Sequence, residues 1–543
     1  MKSTDRSWAA IFHRLEPFAF YGILALWLVP VWGLDFFVTG DGPCHLYNSK
    51  ILLDWWQGVN IAFYKPFYHI NTHFEPNWLY NLLTIPLLAV FGPAWADKVF
   101  MTGYVLGFGL GLRFLVSQIN AQSKFISTVG LLFCYHNLLM MGFMNNSLSF
   151  VLWFWVVAWW WKKRDDVRTK TLLISASLWL LLYSAHPVGL TFAGLTVGAM
   201  LLGLLFFEIK NDGWATSRER FFQRCKGLLV STLPVLLLFA EFVFRRDWNQ
   251  EKNLPKISTA LEAIGRLKAL TTMHSTERDL AMTTGLLCWL LFLGAVVWRW
   301  RAGKRQAADG LLLLVAISFY LILYPPGSFS GGLELHLRLV MVPFLALLFW
   351  TATATFPVWA KSVAVLAALV LAVGFLLARW PVHRDASAYA QEVFSCNSHL
   401  ADTATVLVLN YDWSGQTPQG NRIANRIWLF GHVDGYLGTT RSAVLSDNYE
   451  ANYAYFPTIA RWQTNMYNQT DKDGINFDHR PPRADMLSYQ RRTGQTLDYV
   501  LLLSYRDEFK EHDYTKEVFS QLDQAYTKIF TSEFGRAILY QRK

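Results

Sequence analysis

The sequence predicts a polytopic α-helical membrane protein with a C-terminal α/β domain outside the cytoplasm, and three observations carry this prediction. Of the 543 residues, 53% are hydrophobic and only 16% are charged, whereas a soluble protein carries about a quarter charged residues. Several apolar runs of roughly 18 to 22 residues match the hydrocarbon thickness of a bilayer. Beyond about residue 381, short apolar segments bounded by polar turns replace the long apolar runs.

The charged residues indicate membrane topology rather than a nucleic-acid partner. The formal net charge is +10, but Lys and Arg are scattered in short loops between apolar runs and form no basic face. Lys2, Arg6 and Arg14 precede the first predicted span at about 17–36, which places the N-terminus in the cytoplasm. This run is long and lacks a small-residue cleavage site, so we interpret it as a span and not as a cleavable signal.

The remaining spans alternate in direction and leave the dense basic loops on one side. A count of about 11 transmembrane helices keeps the basic clusters at 162 and 299 cytoplasmic and places the C-terminus outside. The expected location is a bacterial inner membrane, crossed many times. The other spans are predicted at about 99–118, 125–141 and 148–161, then three up to FRRDWNQ, one at about 280–298, and three more of which the last ends at about 380.

Two further helices are expected in the first outer loop, at about 35–98. In HLYNSKILLDWW, the residues Tyr47, Ile51 and Trp55 share one helical face, as in a helix that lies along a membrane surface. EPNWLYNLLTIPLLAVFG is apolar for only about 15 residues after Pro76, too few to cross a bilayer. We interpret it as an interfacial or half-inserted helix.

The sequence divides into a membrane part, residues 1–380, and an outer domain, residues 381–543. In the outer domain, TATVLVLNYDW and LDYVLLLSY are typical of buried strands, and GRAILYQRK is expected to form a terminal strand. About 160 residues suffice for one α/β domain.

The strongest candidate for chemistry is Asp41 in TGDGPCHLYNSK, just beyond the first span. A carboxylate at the depth of lipid phosphates is suited to take a proton from an attacking hydroxyl. The alternative is a helix N-cap, since Asp precedes Gly-Pro. His45, one turn later, either orients Asp41, contacts phosphate, or is a plain interfacial histidine.

Other polar residues are predicted on the same outer side. Glu75 is a second acid, a metal ligand or a cap for a helix beginning at Pro76. The amides of Asn145 and Asn146 suit sugar hydroxyls or helix-end backbone groups. His69 and His73 flank Glu75 without a sustained metal pattern. We assign no metal ligand, although the sequence leaves a divalent metal open.

His186, in the outer turn SAHPVG, is either a site residue or a structural turn histidine. Arg338 lies at the outer mouth of an apolar span, where an unpaired arginine is costly. Its fork of donors suits a phosphate dianion. Pairing with Glu334 and snorkelling are the alternatives.

The arrangement resembles a known family. D-G-P-x-H-L after a first span, an amphipathic helix, P-N-W-L-Y-N-L-L ending in F-G, many spans and an outer tail are similar to the GT-C superfamily of polyprenyl-phosphate-sugar glycosyltransferases. That group includes the protein O-mannosyltransferases and the aminoarabinose transferase of lipid A. The resemblance covers about residues 1–380. It implies that Asp41 is the catalytic base and that Arg338 meets the lipid phosphate.

The resemblance therefore implies an integral-membrane glycosyltransferase. Its partners would be a polyprenyl-phosphate-linked sugar donor, a lipid, glycan or protein acceptor, and membrane lipids, with no nucleic acid. A transporter or flippase of lipid-linked sugars, a non-catalytic cell-envelope assembly protein, and a glycan polymerase or ligase are the alternatives. Cys44 and Cys396 are both expected outside; two free thiols are favoured over a bridge because the pair is far apart in sequence.

Overall fold

The computed structural model describes residues 3–245, 256–303, 306–325, 335–470 and 481–543, which form a helical membrane part and a C-terminal sheet domain. In chain order, the helices of the membrane part are α1 (Ser3–Gly33), α2 (Gly42–Gln57), α3 (Ile61–Tyr64), α4 (Leu79–Phe91), α5 (Pro93–Ile119), α6 (Phe125–Gly130), α7 (Asn137–Met140), α8 (Met144–Lys163), α9 (Thr169–Ala185), α10 (Pro187–Asp212), α11 (Trp214–Phe244), α12 (Ile257–Gly265), α13 (Arg278–Ala302), α14 (Leu311–Leu323), α15 (Leu335–Leu339), α16 (Met341–Thr351) and α17 (Val358–Phe394).

Six helices in the described part of the chain are long and apolar enough to cross a membrane: α1, α5, α10, α11, α13 and α17. Four of the remaining predicted spans coincide with α8 and with shorter apolar helices, namely α9, α14 and the α15–α16 pair. The prediction of a polytopic helical membrane protein is confirmed.

One predicted span, at about 125–141, is not a continuous helix. It consists of α6, a tight turn at Leu131–Phe133, and α7. The helix is interrupted before α7 because His136 is extended and its ring Nδ1 accepts the Leu139 N–H at 3.3 Å. The whole segment is buried, and irregular backbone at membrane depth is tolerated where protein surrounds it.

The loop between α1 and α5, predicted from the sequence as the first outer loop, contains the two expected helices, α2 and α4. The 13 residues of α4 extend for about 20 Å, less than the hydrocarbon core of about 30 Å. The expected start of this helix at Pro76 is wrong, since α4 begins at Leu79 with Trp78 at the N-cap position.

The C-terminal domain contains a mixed five-stranded sheet. Its helices are α18 (Gly435–Gly438), α19 (Met466–Gln469), α20 (Met486–Thr493) and α21 (Asp513–Ala525). The strands of the chain are β1 (Tyr68–Ile70), β2 (Thr403–Asn410), β3 (Ser442–Leu445), β4 (Thr458–Ala460), β5 (Tyr499–Leu503), β6 (Tyr526–Thr531) and β7 (Ala537–Arg542). The sheet order is β3-β2-β5-β7-β6, with β2 parallel to β3 and β5, and β7 antiparallel to β5 and β6.

Three strands of this sheet, β2, β5 and β7, were expected from the sequence and are confirmed. β3 has only four residues, all buried, too few to show an alternating pattern. The last membrane helix does not end at about 380; α17 runs through Pro381 to Phe394.

The sheet domain packs on the loop between α1 and α5. β1 of the loop pairs with β4 of the domain in a short antiparallel ladder. Tyr47 of α2 donates a hydrogen bond from its hydroxyl to Ala443 O at 2.7 Å. Gly438 of α18 lies so close to the Tyr47 ring that a Cβ there would come within 2.2 Å of it. These contacts set the position of the C-terminal domain relative to Asp41.

Candidate active site

A cavity of about 680 Å³ lies between the membrane part and the C-terminal domain. Five of the six candidate residues predicted from the sequence line it, and Glu75 is not among the lining residues. The five are Asp41, His45, Asn145, His186 and Arg338. The facing wall includes Trp413, Trp428, His432, Asp447 and Tyr449.

Asp41 is held in the wall by backbone pairing with the turn before α8. The N–H groups of Gly40 and Asp41 donate to the carbonyl oxygens of Met140 and Met141, both at 2.9 Å. Gly142 has φ +90° and lies so close that a Cβ would come within 2.2 Å of the Asp41 nitrogen. Only glycine fits this conformation and this approach.

The carboxylate of Asp41 is directed to the cavity and not to the helix that follows. Asp41 occupies the N-cap position of α2, but its side chain makes no capping hydrogen bond. Instead, Tyr449 Oη donates to Asp41 Oδ2 at 3.0 Å, and His432 Nε2 lies 3.8 Å from Asp41 Oδ1. The geometry disfavours the N-cap interpretation.

The surroundings of Asp41 tune its ionisation. Burial raises the pKa of Asp41 above its usual value, while the imidazoles of His432 and His45 and the Tyr449 hydrogen bond oppose that rise. Burial would lower the pKa of His432, but Asp447 and Asp41 outweigh it and raise this pKa to about 9. His432 is therefore an imidazolium at neutral pH, beside a carboxylate whose pKa is shifted toward neutrality.

His45 lines the cavity and belongs to a buried ion pair. Its Nδ1 lies 2.5 Å from Glu450 Oε1, and both side chains are almost fully buried. Burial would lower the pKa of His45, but the charge and hydrogen bond of Glu450, together with Asp41, raise it above its usual value. His45 thus joins α2 to the C-terminal domain and adds positive charge near Asp41.

Arg338 and His186 form a second polar cluster in the same cavity. Arg338 Nη1 lies 2.7 Å from His186 Nε2, and its guanidinium stacks 4.6 Å from the Phe143 ring centre. His186 caps α10, because its Nδ1 accepts the Val188 N–H at 3.1 Å. Glu334, the alternative partner for Arg338, lies outside the described residues.

The two asparagines at the start of α8 have different surroundings. The Asn145 side chain accepts the Tyr80 N–H and donates to Asn77 O, each at 2.8 Å, so it ties α8 to the start of α4. The Asn146 amide also lines the cavity and has no hydrogen-bond partner among the described residues. Asn146 is therefore better suited than the predicted Asn145 to bind a hydroxyl.

Glu75 is a partner of Arg245 rather than a wall residue of the cavity. Its Oε1 accepts a hydrogen bond from Arg245 Nη1 at 3.0 Å, so Glu75 compensates the positive charge of Arg245 at the end of α11. His73 is half-exposed and lies 3.8 Å from Glu241, and His69 lies in β1. In the described ranges, no group of three or more His, Cys, Asp or Glu is arranged to hold a metal ion.

Four functional candidates were missed from the sequence because each belongs to the C-terminal domain: His432, Asp447, Tyr449 and Glu450. His432 comes from the connection after β2, and the other three directly follow β3. Ligands often bind at the carboxyl ends of parallel strands. The run SDNYE after the buried segment SAVL was the only signal available.

The chain resembles known proteins in fold but not in sequence. No protein-family model matches the chain, and no curated protein matches it in sequence. The crystal structure of ArnT from Cupriavidus metallidurans in the apo state is similar to it, with 11% identity, a TM-score of 0.53, and coverage of 99% of this chain and 98% of ArnT. The chain has the fold of this ArnT structure, in agreement with the resemblance found in the sequence.

The shared fold extends over the C-terminal domain, beyond the residues that carried the sequence resemblance. A second ArnT structure, bound to undecaprenyl phosphate, is similar with 11% identity, a TM-score of 0.51, and coverage of 98% of both chains. At 11% identity, this similarity shows a shared fold alone.

Cys44 and Cys396 are both buried and both free, in agreement with the expectation of two unbridged thiols. The Cys44 sulfur lies 3.5 Å from Asn448 Oδ1, within the contact between α2 and the C-terminal domain.

Proposed function

We propose that this protein is a membrane glycosyltransferase that moves a sugar from a polyprenyl-phosphate carrier to an acceptor hydroxyl outside the cytoplasm. The observation that carries the proposal is the placement of a largely buried carboxylate, Asp41, and a cation, Arg338 beside His186, in one cavity. The charge of Arg338 also lowers the pKa of Asp41, which indicates that the two groups act within one electrostatic site.

In the proposed reaction, Asp41 accepts the proton of the acceptor hydroxyl as its oxygen attacks the anomeric carbon of the donor sugar. The bond between that carbon and the phosphate oxygen breaks, and the polyprenyl phosphate leaves with the bonding electrons. A carboxylate whose pKa is shifted toward neutrality is suited to general-base catalysis. One positioned base and one positioned leaving group suffice for this displacement.

Arg338 is assigned to the phosphate. Its guanidinium lies at the cavity wall, where the His186 and Phe143 rings contact it. A guanidinium carries five N–H donors in a fixed fork, and charge-assisted bonds from such a fork suit phosphate oxygens. An ArnT structure was solved with undecaprenyl phosphate, which favours this donor class here.

The test is a transfer assay with full-length protein in lipid nanodiscs. Undecaprenyl-phosphate-linked sugars are the donor probes, an extract of envelope glycolipids supplies acceptors, and mass spectrometry follows both the released undecaprenyl phosphate and the glycosylated product. We expect both products with wild-type protein and neither with Asp41→Asn. Movement of the intact lipid-linked sugar between leaflets, without cleavage of its phosphate bond, would instead identify a transporter.

A further inference from the structure

A histidine and an aspartate of the C-terminal domain extend the site beyond the residues of the membrane part. His432 Nδ1 lies 3.3 Å from Asp447 Oδ2, and His432 Nε2 lies 3.8 Å from Asp41 Oδ1. The three side chains thus form a line in which one imidazole separates two carboxylates. Asp447 is 4% exposed and His432 11% exposed, so solvent screens this line weakly.

We propose that His432 and Asp447 are positioning residues of the C-terminal domain, which hold a cation against Asp41 and so keep the buried base ionised. The inference rests on the proposed function only for the role of Asp41; the effect on its ionisation stands on the geometry.

The orientation of the His432 ring is fixed from several sides. The Tyr449 ring stacks on it with centroids 4.6 Å apart and planes inclined by 29°, and Trp413 approaches it at 5.8 Å. Tyr449 also donates to the second oxygen of Asp41. One carboxylate oxygen of Asp41 therefore accepts a hydrogen bond from the Tyr449 hydroxyl, and the other faces the imidazole of His432. Two residues of the C-terminal domain thus set the orientation of the Asp41 side chain.

The charged groups around this line are few. Asp447, Asp41 and Asp434 each raise the pKa of His432, while burial opposes them. His45, which is paired with Glu450, and Arg338 of the membrane part both lower the pKa of Asp41. Among these carboxylates, Asp447 raises the pKa of His432 most, so its removal should lower the pKa of the imidazole most.

The test reads the carboxylate directly and needs no sugar substrate. Infrared spectra of the full-length protein in nanodiscs are recorded from pH 3 to 11, and the spectra of Asp41→Asn are subtracted to isolate the Asp41 bands. Wild-type protein should show two transitions: protonation of Asp41 at acid pH, and a shift of its carboxylate stretch near pH 9, when His432 loses its proton. His432→Gln should raise the acid midpoint by about one pH unit or more and abolish the alkaline transition.

Asp447→Asn is the second variant, and it keeps the imidazole. It should leave the acid midpoint nearly unchanged, because His432 is still protonated there, and move the alkaline transition to lower pH. His399→Gln, a change of an exposed histidine elsewhere in the C-terminal domain, is the matched control and should alter neither transition. Identical midpoints in wild type, His432→Gln and Asp447→Asn would overturn the proposal. Shifted midpoints in a protein that transfers no sugar would leave it standing and refute the glycosyltransferase assignment alone.

Discussion

The hydroxyl of Tyr449 donates a 3.0 Å hydrogen bond to the carboxylate of Asp41, across 408 positions of the sequence. Asp41 follows the first membrane helix, and Tyr449 follows a strand of the C-terminal domain. The C-terminal domain, which composition alone would separate from the membrane part, therefore supplies a direct hydrogen-bond partner of the candidate base.

Tyr449→Phe tests this contact. The hydrogen bond from Tyr449 lowers the pKa of Asp41, so its loss should raise that pKa further. Because an acid with a higher pKa stays protonated to a higher pH, the acid limb of the rate profile should move upward, with a larger loss of activity at pH 5 than at pH 8. The position of the acid limb is measured from sugar-transfer rates between pH 5 and pH 8. Tyr540→Phe, in β7 away from the cavity, should leave the profile unchanged; an unmoved limb in Tyr449→Phe would contradict the assignment.

Asp41→Asn separates proton transfer from structure. Asparagine cannot accept the proton, so sugar transfer should fall by about 10² or more. The Asp41 side chain makes no capping bond, so the melting temperatures of Asp41→Asn and Asp41→Ala should be similar. A selective loss of stability in Asp41→Ala, with near-normal transfer in Asp41→Asn, would mean that Asp41 is a helix cap.

Arg338→Ala should weaken donor binding. Loss of a hydrogen bond to a charged group costs about 1.5–3 kcal/mol, or about 10- to 100-fold in Kd. Arg338→Lys should recover only part, since an ammonium lacks the planar fork of donors. Binding of undecaprenyl phosphate is measured by native mass spectrometry, with Arg384→Ala, an exposed site, as control. Equal affinity in all three variants would remove Arg338 from the phosphate site.

Glu450→Gln should destabilise the contact between α2 and the C-terminal domain. It leaves His45 buried without its carboxylate partner, and breaking a buried pair in this way costs about 3–5 kcal/mol. Glu508→Gln removes an exposed pair with Arg506 and should cost at most about 1 kcal/mol. Thermal unfolding in nanodiscs compares the two. Equal effects would show that the His45–Glu450 pair is not an important link.

Orientation is tested by fusing a reporter that is active only outside the cytoplasm. A fusion at the C-terminus should be active, and one after Arg164 should be silent, because the basic loop there is predicted to stay inside. The reverse pattern would place Asp41 and the cavity on the cytoplasmic side and exclude a donor that is used outside.

The sequence by itself determined the membrane class, the helical character of nearly every predicted span, and the strands β2, β5 and β7, because each depends on local apolar length and period. It also suggested Asp41, His186 and Arg338 as candidates, since polar residues at the ends of apolar runs are costly without a role, and the structure places all three on one cavity. Apolar content alone did not reveal the break at His136, which depends on a side chain that accepts a backbone N–H inside the protein.

Only the tertiary structure decided what surrounds Asp41. His432 and Tyr449 lie about 400 positions away in sequence and reach Asp41 because β1 pairs with β4 and α18 packs on α2. It also separated Glu75 from the cavity by pairing it with Arg245. A local sequence pattern indicates which face of a helix or strand is apolar. It does not indicate which distant carboxylate or imidazole will be buried beside Asp41, and those neighbours set the pKa of Asp41.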